Sequence, residues 1–570
     1  MKSRNTSTDA AAMAPSTLNL FILTFNCAKT FINPPVFAAH LHGALAEQNT
    51  ADLPDLVVFS LQEVAPLSYA FIGSYFLNPY YARFGEALNL ASAKVLATAD
   101  GDDEHASLSA AAPGRRRPPY TLVRAKNVGM TAILMYARDP TSIRKIEEAE
   151  CGFGAADMGN KGAVGLRVTW SGQADEAASD KTTELTFVAT HLAAMEWNLK
   201  KRNANWRSIV AGLTFANPRA IVPGVFPVDQ SAPTLDRAGN APLLPTGDSP
   251  DPSEEEPDQT PSSEEEEEDD THPLLAHPQL PTTDAATLAA LQSISVYKPT
   301  SHLFVAGDLN YRIASTTPPP SSTFPSFDPS SDHHHTTFFP RDQLTHERLA
   351  NRTLHGLSEA PVSFGPTYKF DLLDGPAGAA NEAAVRAGNA VNGVPEVPWR
   401  FAPHRWPGWC DRVLYLDVPA WVSGANSDEG EGEGVGRGKG KGKVGVEVGA
   451  YDALPLMQSS DHRAVYFRAR VPVLGEAEMR PPTAGAEAEA EIEASSGEDG
   501  DGDGGGGLVD PRVRMPVPVD VHAWERRAAA RRREVVVGWT AFVWSTREGA
   551  VLLATLLVLG VGSWWLLRVW

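Results

Sequence analysis

From Leu18 to Phe467 the chain is punctuated by short runs dense in Val, Ile, Leu and Phe: Leu18–Phe25, Leu56–Leu61, Thr131–Tyr136, Val164–Val168, Leu185–Ala189, Leu303–Ala306, Val413–Leu416 and Ala464–Phe467. Their length and β-branched content predict buried strands. After His191 the period changes. Trp206, Ile209, Val210 and Leu213 stand at i, i+3, i+4 and i+7, which places them on one face of a helix. A third pattern closes the chain, where Gly549–Leu567 carries no charge over nineteen residues. At about 1.5 Å per residue such a helix nearly matches a hydrocarbon core of about 30 Å. Trp564, Trp565 and Trp570 suit the far interface. Val535–Ser545 is too short to span alone and would lie in the interface or pair with the last segment as a hairpin.

The segments between the runs have turn and disorder composition. They include Asp100–Pro119 (Ala/Arg/Pro-rich), Pro218–Thr282 (Pro/Ser/Glu-rich) and Thr316–Thr337 (Pro/Ser/His-rich). Two more are Gly375–Val394 (Gly/Ala-rich) and Asn426–Lys443 (Gly with Glu, then Lys). Structureless loops this long are uncommon inside a compact domain, so they are expected as disordered surface inserts of a single domain. The expected organisation is a disordered N-terminus over 1–16 and one large domain over 17–472, interrupted at about 100–119, 218–282, 316–337, 375–394 and 426–443. A disordered linker over 473–520, a basic juxtamembrane segment over 521–548 and a transmembrane helix over 549–567 follow. No solenoid-type repeat is present.

Net charge is −21, but much of the acid lies in Glu254–Glu256, Glu264–Asp270 and Ser495–Gly507, runs that cannot bury apolar surface and read as solvated chain. The balance argues against a nonspecific nucleic-acid binder, which needs a basic face. Cys27, Cys151 and Cys410 are too few and too scattered for a disulfide framework or a zinc site, so a reducing compartment is expected. The first residues hold no apolar core of signal-peptide length. Arg526, Arg527, Arg531, Arg532 and Arg533 precede the apolar span and only Arg568 follows it. By that bias the N-terminal bulk is expected in the cytosol.

Polar residues recur where the apolar runs end. Asn26 follows Phe25, Glu63 follows the Leu56–Leu61 run, His191 follows Ala189–Thr190, and Asp308 and Asn310 follow Val305–Ala306. Asp411 and the pair Asp461–His462 stand just before strands. Singly, each has an ordinary reading as a cap, a turn or a core histidine. Together they form a chemical inventory. Carboxylates and an amide are the oxygen ligands that a hard Mg²⁺ prefers, and two imidazoles with further Asp residues supply proton transfer and charge stabilisation. No Ser-His-Asp signature or Cys-based phosphate loop surrounds them, so a metal with an activated water is the economical mechanism.

Two segments, LFVAGDLNYRI (Leu303–Ile313) and RWPGWCDRVL (Arg405–Leu414), resemble the signature motifs of inositol polyphosphate 5-phosphatases. Six supporting blocks occur in that family's order: TFNCA (Thr24–Ala28), LQEV (Leu61–Val64), GNKGAV (Gly159–Val164), THLAA (Thr190–Ala194), PTYKFD (Pro366–Asp371) and SSDHRAV (Ser459–Val465). The departures are Gly408 for the usual Ser or Ala, Ala464 for a frequent Pro, and HLFVA before GDLN in place of an aromatic-rich segment. Those aromatics lie outside the metal-binding positions, so tuning of packing is expected rather than loss of chemistry.

The resemblance implies an α+β fold, the DNase-I-like four-layer α/β/β/α sandwich, to which the composition and hydropathy add the expectation of long disordered inserts and a C-terminal transmembrane helix. It implies Mg²⁺ held by Glu63 with Asn26 beside it. Asp308, positioned with help from Asn310, is expected to activate the attacking water. His191 and His462 are expected to stabilise charge on the phosphoryl oxygens. Asp411 is expected to orient His462, and Asp461 to sit near the metal and water. Lys161, Tyr368, Lys369 and Arg405 are the expected substrate contacts, with Tyr368 and Lys369 on the neighbouring 4-phosphate. Met195–Trp197 and Phe338–Phe339 are candidates for lipid contact. The run His333–His335 reads as loop, because consecutive residues do not converge on one ion.

The expected activity is removal of the 5-phosphate from phosphoinositides, phosphatidylinositol 4,5-bisphosphate above all. The expected partners are those lipids and a membrane reached through the C-terminal helix, the endoplasmic reticulum in preference to the mitochondrial outer membrane. No nucleic-acid partner is expected. The rival readings are a nuclease or sphingomyelinase-type phosphodiesterase of the same fold, or a membrane scaffold with an inactive phosphatase domain.

Overall fold

The computed structural model describes residues 16–46, 52–99, 118–172, 181–222, 285–373, 397–423, 444–482 and 510–570. All eight apolar runs form strands, and they are the middle of two six-stranded sheets. The first sheet runs in the order β13 (Glu447–Ala453), β14 (Val465–Pro472), β1 (Thr17–Asn26), β2 (Leu56–Gln62), β4 (Thr131–Ala137), β3 (Thr121–Val128). The second runs β5 (Ile143–Gly152), β6 (Gly162–Ser171), β7 (Thr182–His191), β8 (His302–Asp308), β12 (Asp411–Leu416), β9 (Leu357–Ser358). A small hairpin pairs β10 (Phe370–Leu372) with β11 (Trp399–Phe401).

Alternation along each central strand builds the layers. On β1, Leu18, Leu20 and Ile22 face the second sheet and pack with Val164, Leu166, Phe187 and Phe304. Phe21, Leu23 and Phe25 face outward onto helices α1 (Pro34–Ala46) and α3 (Ser74–Ala99). On β8, Phe304 and Ala306 face inward. Leu303 and Val305 face α4 (Leu199–Gly212), where Trp206, Ile209, Val210 and Leu213 are fully buried. The result is the expected four-layer sandwich, helices outside two face-packed sheets.

Each sheet has a parallel pair at its centre. In β1 and β2 the register sets Asn26 beside Gln62, and in β7 and β8 it sets His191 beside Asp308. Antiparallel β12 begins with Asp411 opposite Asp308. The Ser60 hydroxyl donates across the sandwich to the Ala306 carbonyl at 2.8 Å, tying the sheets together near these ends.

Three expected segment boundaries differ from the structure. Residues 316–337, expected as a disordered insert, are packed. Phe324 meets Trp406 (ring centroids 5.8 Å apart), Phe327 stacks on Phe401 (6.0 Å), and His335 is buried. These rings anchor a segment whose Pro/Ser content alone suggests no core. The 473–520 linker is docked at both described ends. Met479 is fully buried near one end. At the other, Gln292 Nε2 donates to the Pro511 and Arg512 carbonyls, and Asp520 N to the Ala211 carbonyl. The 521–548 segment forms a helix, Ala523–Ser545, laid against α2 (Leu67–Ile72) and β5 through arginines paired with a buried glutamate. Phe338 is buried and Phe339 packs edge-on to Trp409, so neither offers a lipid contact, whereas Trp197 is exposed. The remaining inserts fall on residues 100–117, 223–284, 374–396 and 424–443, outside the described residues, apart from their edges.

Candidate active site

The strand ends meet at one edge of the sandwich. Asn26 closes β1 and reaches across to the second sheet, its Nδ2 donating to Asp308 Oδ2 at 3.1 Å. Asn26 Oδ1 accepts from the Ala28 amide, fixing the turn after the strand. His191, the last residue of β7, brings Nε2 to 3.2 Å from the same Asp308 oxygen and contacts Lys161 Nζ. The other Asp308 oxygen accepts the Asn310 amide at 3.1 Å. Asp308 is therefore held by three groups from three strand ends, and it is buried.

The chain turns left-handed at Glu63 (φ 46°) and at Asn310 (φ 58°). Non-glycine residues rarely adopt this conformation, and such turns recur at functional sites. Here they end β2 and β8 sharply and leave Glu63 at the pit. Glu63 Oε2 pairs with Lys29 Nζ at 2.8 Å.

Opposite Asp308, His462 Nδ1 lies 2.8 Å from Asp411 Oδ2, which also accepts the Thr367 hydroxyl at 2.7 Å. The SSDHR segment is pinned to β1 because the Ser460 hydroxyl donates to the Asn26 carbonyl at 2.6 Å and accepts the His462 amide. Tyr368 packs on the His462 ring, with centroids 4.6 Å apart. On the rim, Lys369 Nζ pairs with Asp461 Oδ2 at 2.8 Å. Arg405 sits near Glu196 and the Met195 sulfur, on the same side as Lys369.

The electrostatics follow from burial set against these partners. Burial alone would raise the Asp308 carboxyl, but His191, His462 and Lys161 outweigh it and hold it far below the usual range. Glu63 behaves the same way, with His191, Lys29 and Lys161 prevailing over burial. Burial lowers His191, and Lys161 lowers it further. Burial raises Asp411. It works against the His462 cation, yet Asp411, Asp308 and Asp461 together push that imidazole up to about 9.

The donor set fits a hard divalent cation. Among the described residues, Asp308, Asp411 and His462 each offer a ligand atom within 4.8 Å of the others, a group that leaves out the expected ligand Glu63 and in which His462 Nδ1 and Asp411 Oδ2 already bond each other. Asp411 Oδ1 is buried with no hydrogen-bond partner among the described residues. Carboxylate oxygens dominate, which suits Mg²⁺-like rather than thiophilic ions.

All twelve residues singled out from the sequence lie at this edge or on its rim. Sequence reasoning missed three helpers. Lys29 neutralises Glu63. Arg312 binds Asn310 Oδ1 at 2.6 Å and stacks on Tyr368 at 4.3 Å. Thr367 holds Asp411. Arg312 and Thr367 were visible inside the GDLNYR and PTYKFD blocks, but only their contacts reveal what they do.

Residues 23–468 match the profile of the family described as Endonuclease/Exonuclease/phosphatase family 2. Among curated proteins, the chain is 26% identical over 318 residues to type II inositol polyphosphate 5-phosphatase 15 of Arabidopsis thaliana, covering 55% of this chain and 20% of that one. It is 28% identical over 216 residues to the polyphosphatidylinositol phosphatase INP53 of Saccharomyces cerevisiae, covering 36% and 16%. The chain thus spans a fifth or less of the length of these relatives. A solved inositol polyphosphate 5-phosphatase domain of SPsynaptojanin, in complex with inositol (1,4)-bisphosphate and calcium ion, aligns over 85% of this chain and 94% of its own, with a TM-score of 0.44 and 18% identity.

Proposed function

The chain belongs to Endonuclease/Exonuclease/phosphatase family 2, and from that membership and the pit around Asp308 we propose that it hydrolyses the 5-phosphate of phosphoinositides. Phosphatidylinositol 4,5-bisphosphate is the foremost substrate, with Mg²⁺ as cofactor. The observation that carries the reading is the double clasp on the reacting side chains. Asn26, His191 and the Asn310 amide fix Asp308, while Asp411 fixes His462 across the pit. One relative named as an inositol polyphosphate 5-phosphatase and one named as a polyphosphatidylinositol phosphatase support the choice of substrate class.

Mg²⁺ held by Glu63, with Asn26 beside it, would supply charge neutralisation at the phosphoryl and leaving oxygens. The chain's own residues do the rest. Asp308, ionised at any physiological pH, orients a water and takes its proton as the new P–O bond forms. Attack is in line: the bond from phosphorus to the inositol 5-oxygen breaks as the water's bond forms, the departing oxygen takes a proton from solvent, and no phosphoenzyme forms. His462 is cationic at neutral pH because its partners are anionic, and it stabilises charge growing on the phosphoryl oxygens. Asp411 orients it by accepting from Nδ1. His191 works on the other side, and Asp461 stands by the water. Lys161 approaches the scissile phosphate from its Gly-flanked loop. Tyr368, Lys369 and Arg405 line the rim where the 4-phosphate binds.

The helix Arg547–Val569 has a mean hydropathy of 2.2 in its most apolar stretch and buries none of it in the protein. We read it as the anchor that holds the domain on a cytosol-facing membrane, the endoplasmic reticulum in preference to the mitochondrial outer membrane. Confinement to that surface raises the effective substrate concentration.

The test is phosphate release by the full chain in detergent from soluble inositol 1,4,5-trisphosphate, set against nicking of plasmid DNA, with and without Mg²⁺. Metal-dependent phosphate release without nicking is expected. Nicking alone, or no release at all, would refute the reading.

A further inference from the structure

Away from the pit, a cluster of buried charge lies beneath helix Ala523–Ser545. Glu534 is fully buried. Both Arg527 Nη atoms donate to it, Nη2 at 2.9 Å, and Arg531 Nη1 adds a third contact at 3.3 Å. A buried carboxylate is retained at such cost only when its oxygens are fully used. The last donor is a backbone amide: Gly159 N–H donates to Glu534 Oε1 at 2.8 Å.

That bond starts a line into the active site. The Gly159 carbonyl accepts the Met130 amide at 3.3 Å, and the Met130 carbonyl accepts the Val64 amide at 3.1 Å. Val64 is the residue after Glu63. In the other direction Gly159 stands two residues before Lys161. The loop cannot shift freely, since a Cβ on Gly159 would fall 2.7 Å from the Gly129 nitrogen and from Val128. The same helix also clamps the end of α2, which follows the Glu63 turn. Arg531 donates to the Phe71 carbonyl at 2.7 Å and to that of Ile72 at 3.3 Å, and Gly538 lets the helix close onto Phe71.

We propose that Glu534 is a positioning residue for the reaction, holding the Lys161 loop and the Glu63 turn in register through Gly159 and Met130. The helix that leads into the apolar C-terminal helix is then a brace behind the catalytic centre rather than only a tether. This inference rests on the proposed function, because it takes Glu63 and Lys161 as working residues.

The experiment uses the full chain in detergent. Glu534→Asp keeps the charge for Arg527 but shortens the reach to Gly159, and Glu534→Gln keeps the reach and an acceptor oxygen. Binding of Mn²⁺ as a probe is followed by electron paramagnetic resonance, and KM and kcat are measured on inositol 1,4,5-trisphosphate. Hydrogen exchange is read at the Met130 and Gly159 amides. Glu534→Asp should weaken Mn²⁺ binding about 10-fold, raise KM more than it lowers kcat, and speed exchange at both amides. Glu534→Gln should restore most of the Mn²⁺ affinity. An Asp variant that only melts earlier, with Mn²⁺ affinity and KM at wild-type values, overturns the proposal. A wild-type chain that releases no phosphate instead refutes the reading of the site, and this inference falls with it.

Discussion

Replacing Asp411 by Asn removes the charge that most raises His462 while leaving an oxygen of the same reach. In the wild type, the Asp411–His462 contact is 2.8 Å and both groups are buried, so solvent screens it little. The imidazole rises from an ordinary 6.5 to about 9. At about 1.36 kcal/mol per unit, a shift of that size is worth roughly 3 kcal/mol of preference for the cation. Asp411 is the largest of the three carboxylates responsible, and a charge-assisted bond of this geometry contributes about 1.5–3 kcal/mol. Losing it should lower the His462 pKa by about 1.5 units. At pH 8 the wild-type imidazole is then about nine-tenths protonated and the variant's roughly a quarter. The assay is kcat/KM on inositol 1,4,5-trisphosphate from pH 5 to 10 at saturating Mg²⁺. The alkaline limb should fall near pH 9 in wild type and between 7 and 8 in Asp411→Asn. Stability follows the same sign. A raised histidine stabilises fully below its unfolded value, and that contribution is lost as pH rises through about 9. The variant should lose most of this dependence. An alkaline limb that stays in place when Asp411 is replaced would show that His462 does not act as a cation, and the assignment would be wrong.

Asp308→Ala should cut kcat by roughly 10²–10⁴-fold with the fold retained; phosphate release at a wild-type rate in a folded variant removes Asp308 from the mechanism. Deleting Gly549–Trp570 should lower turnover of phosphatidylinositol 4,5-bisphosphate on cellular membranes and leave soluble inositol 1,4,5-trisphosphate turnover unchanged; equal loss on both contradicts the anchor's proposed role. Arg412 is fully buried between Asp342 (3.0 Å) and Glu359 (2.6 Å), so Arg412→Ala strands two carboxylates and should cost about 3–5 kcal/mol in urea unfolding; a change below 1 kcal/mol would mean that water reaches the pair.

The sequence alone determined the central strands. A strand covered on both faces must be apolar at nearly every position, and such runs stand out without knowledge of their neighbours. It also picked out most of the side chains that meet at the candidate site, because residues at strand ends are fixed in type by their motifs. The edge strands β3, β5 and β13 escaped notice because one face of each meets solvent and carries Lys, Arg or Glu. Helix α3 went unread although Leu77, Tyr80, Tyr81, Phe84 and Leu88 share its buried face, because Pro79 stands within its first turns and argues locally against a helix.

Only the tertiary structure decided which of these groups touch. Asn26 and Asp308 are 282 residues apart, and Gly159 and Glu534 are 375 apart. No local pattern encodes such a pairing, since it depends on how two sheets stack and where a docked helix lies. An arginine-rich stretch before an apolar span reads as a membrane-facing collar. It became a clamp on the catalytic domain because one buried glutamate, unremarkable in the sequence, gave two of those arginines a partner inside.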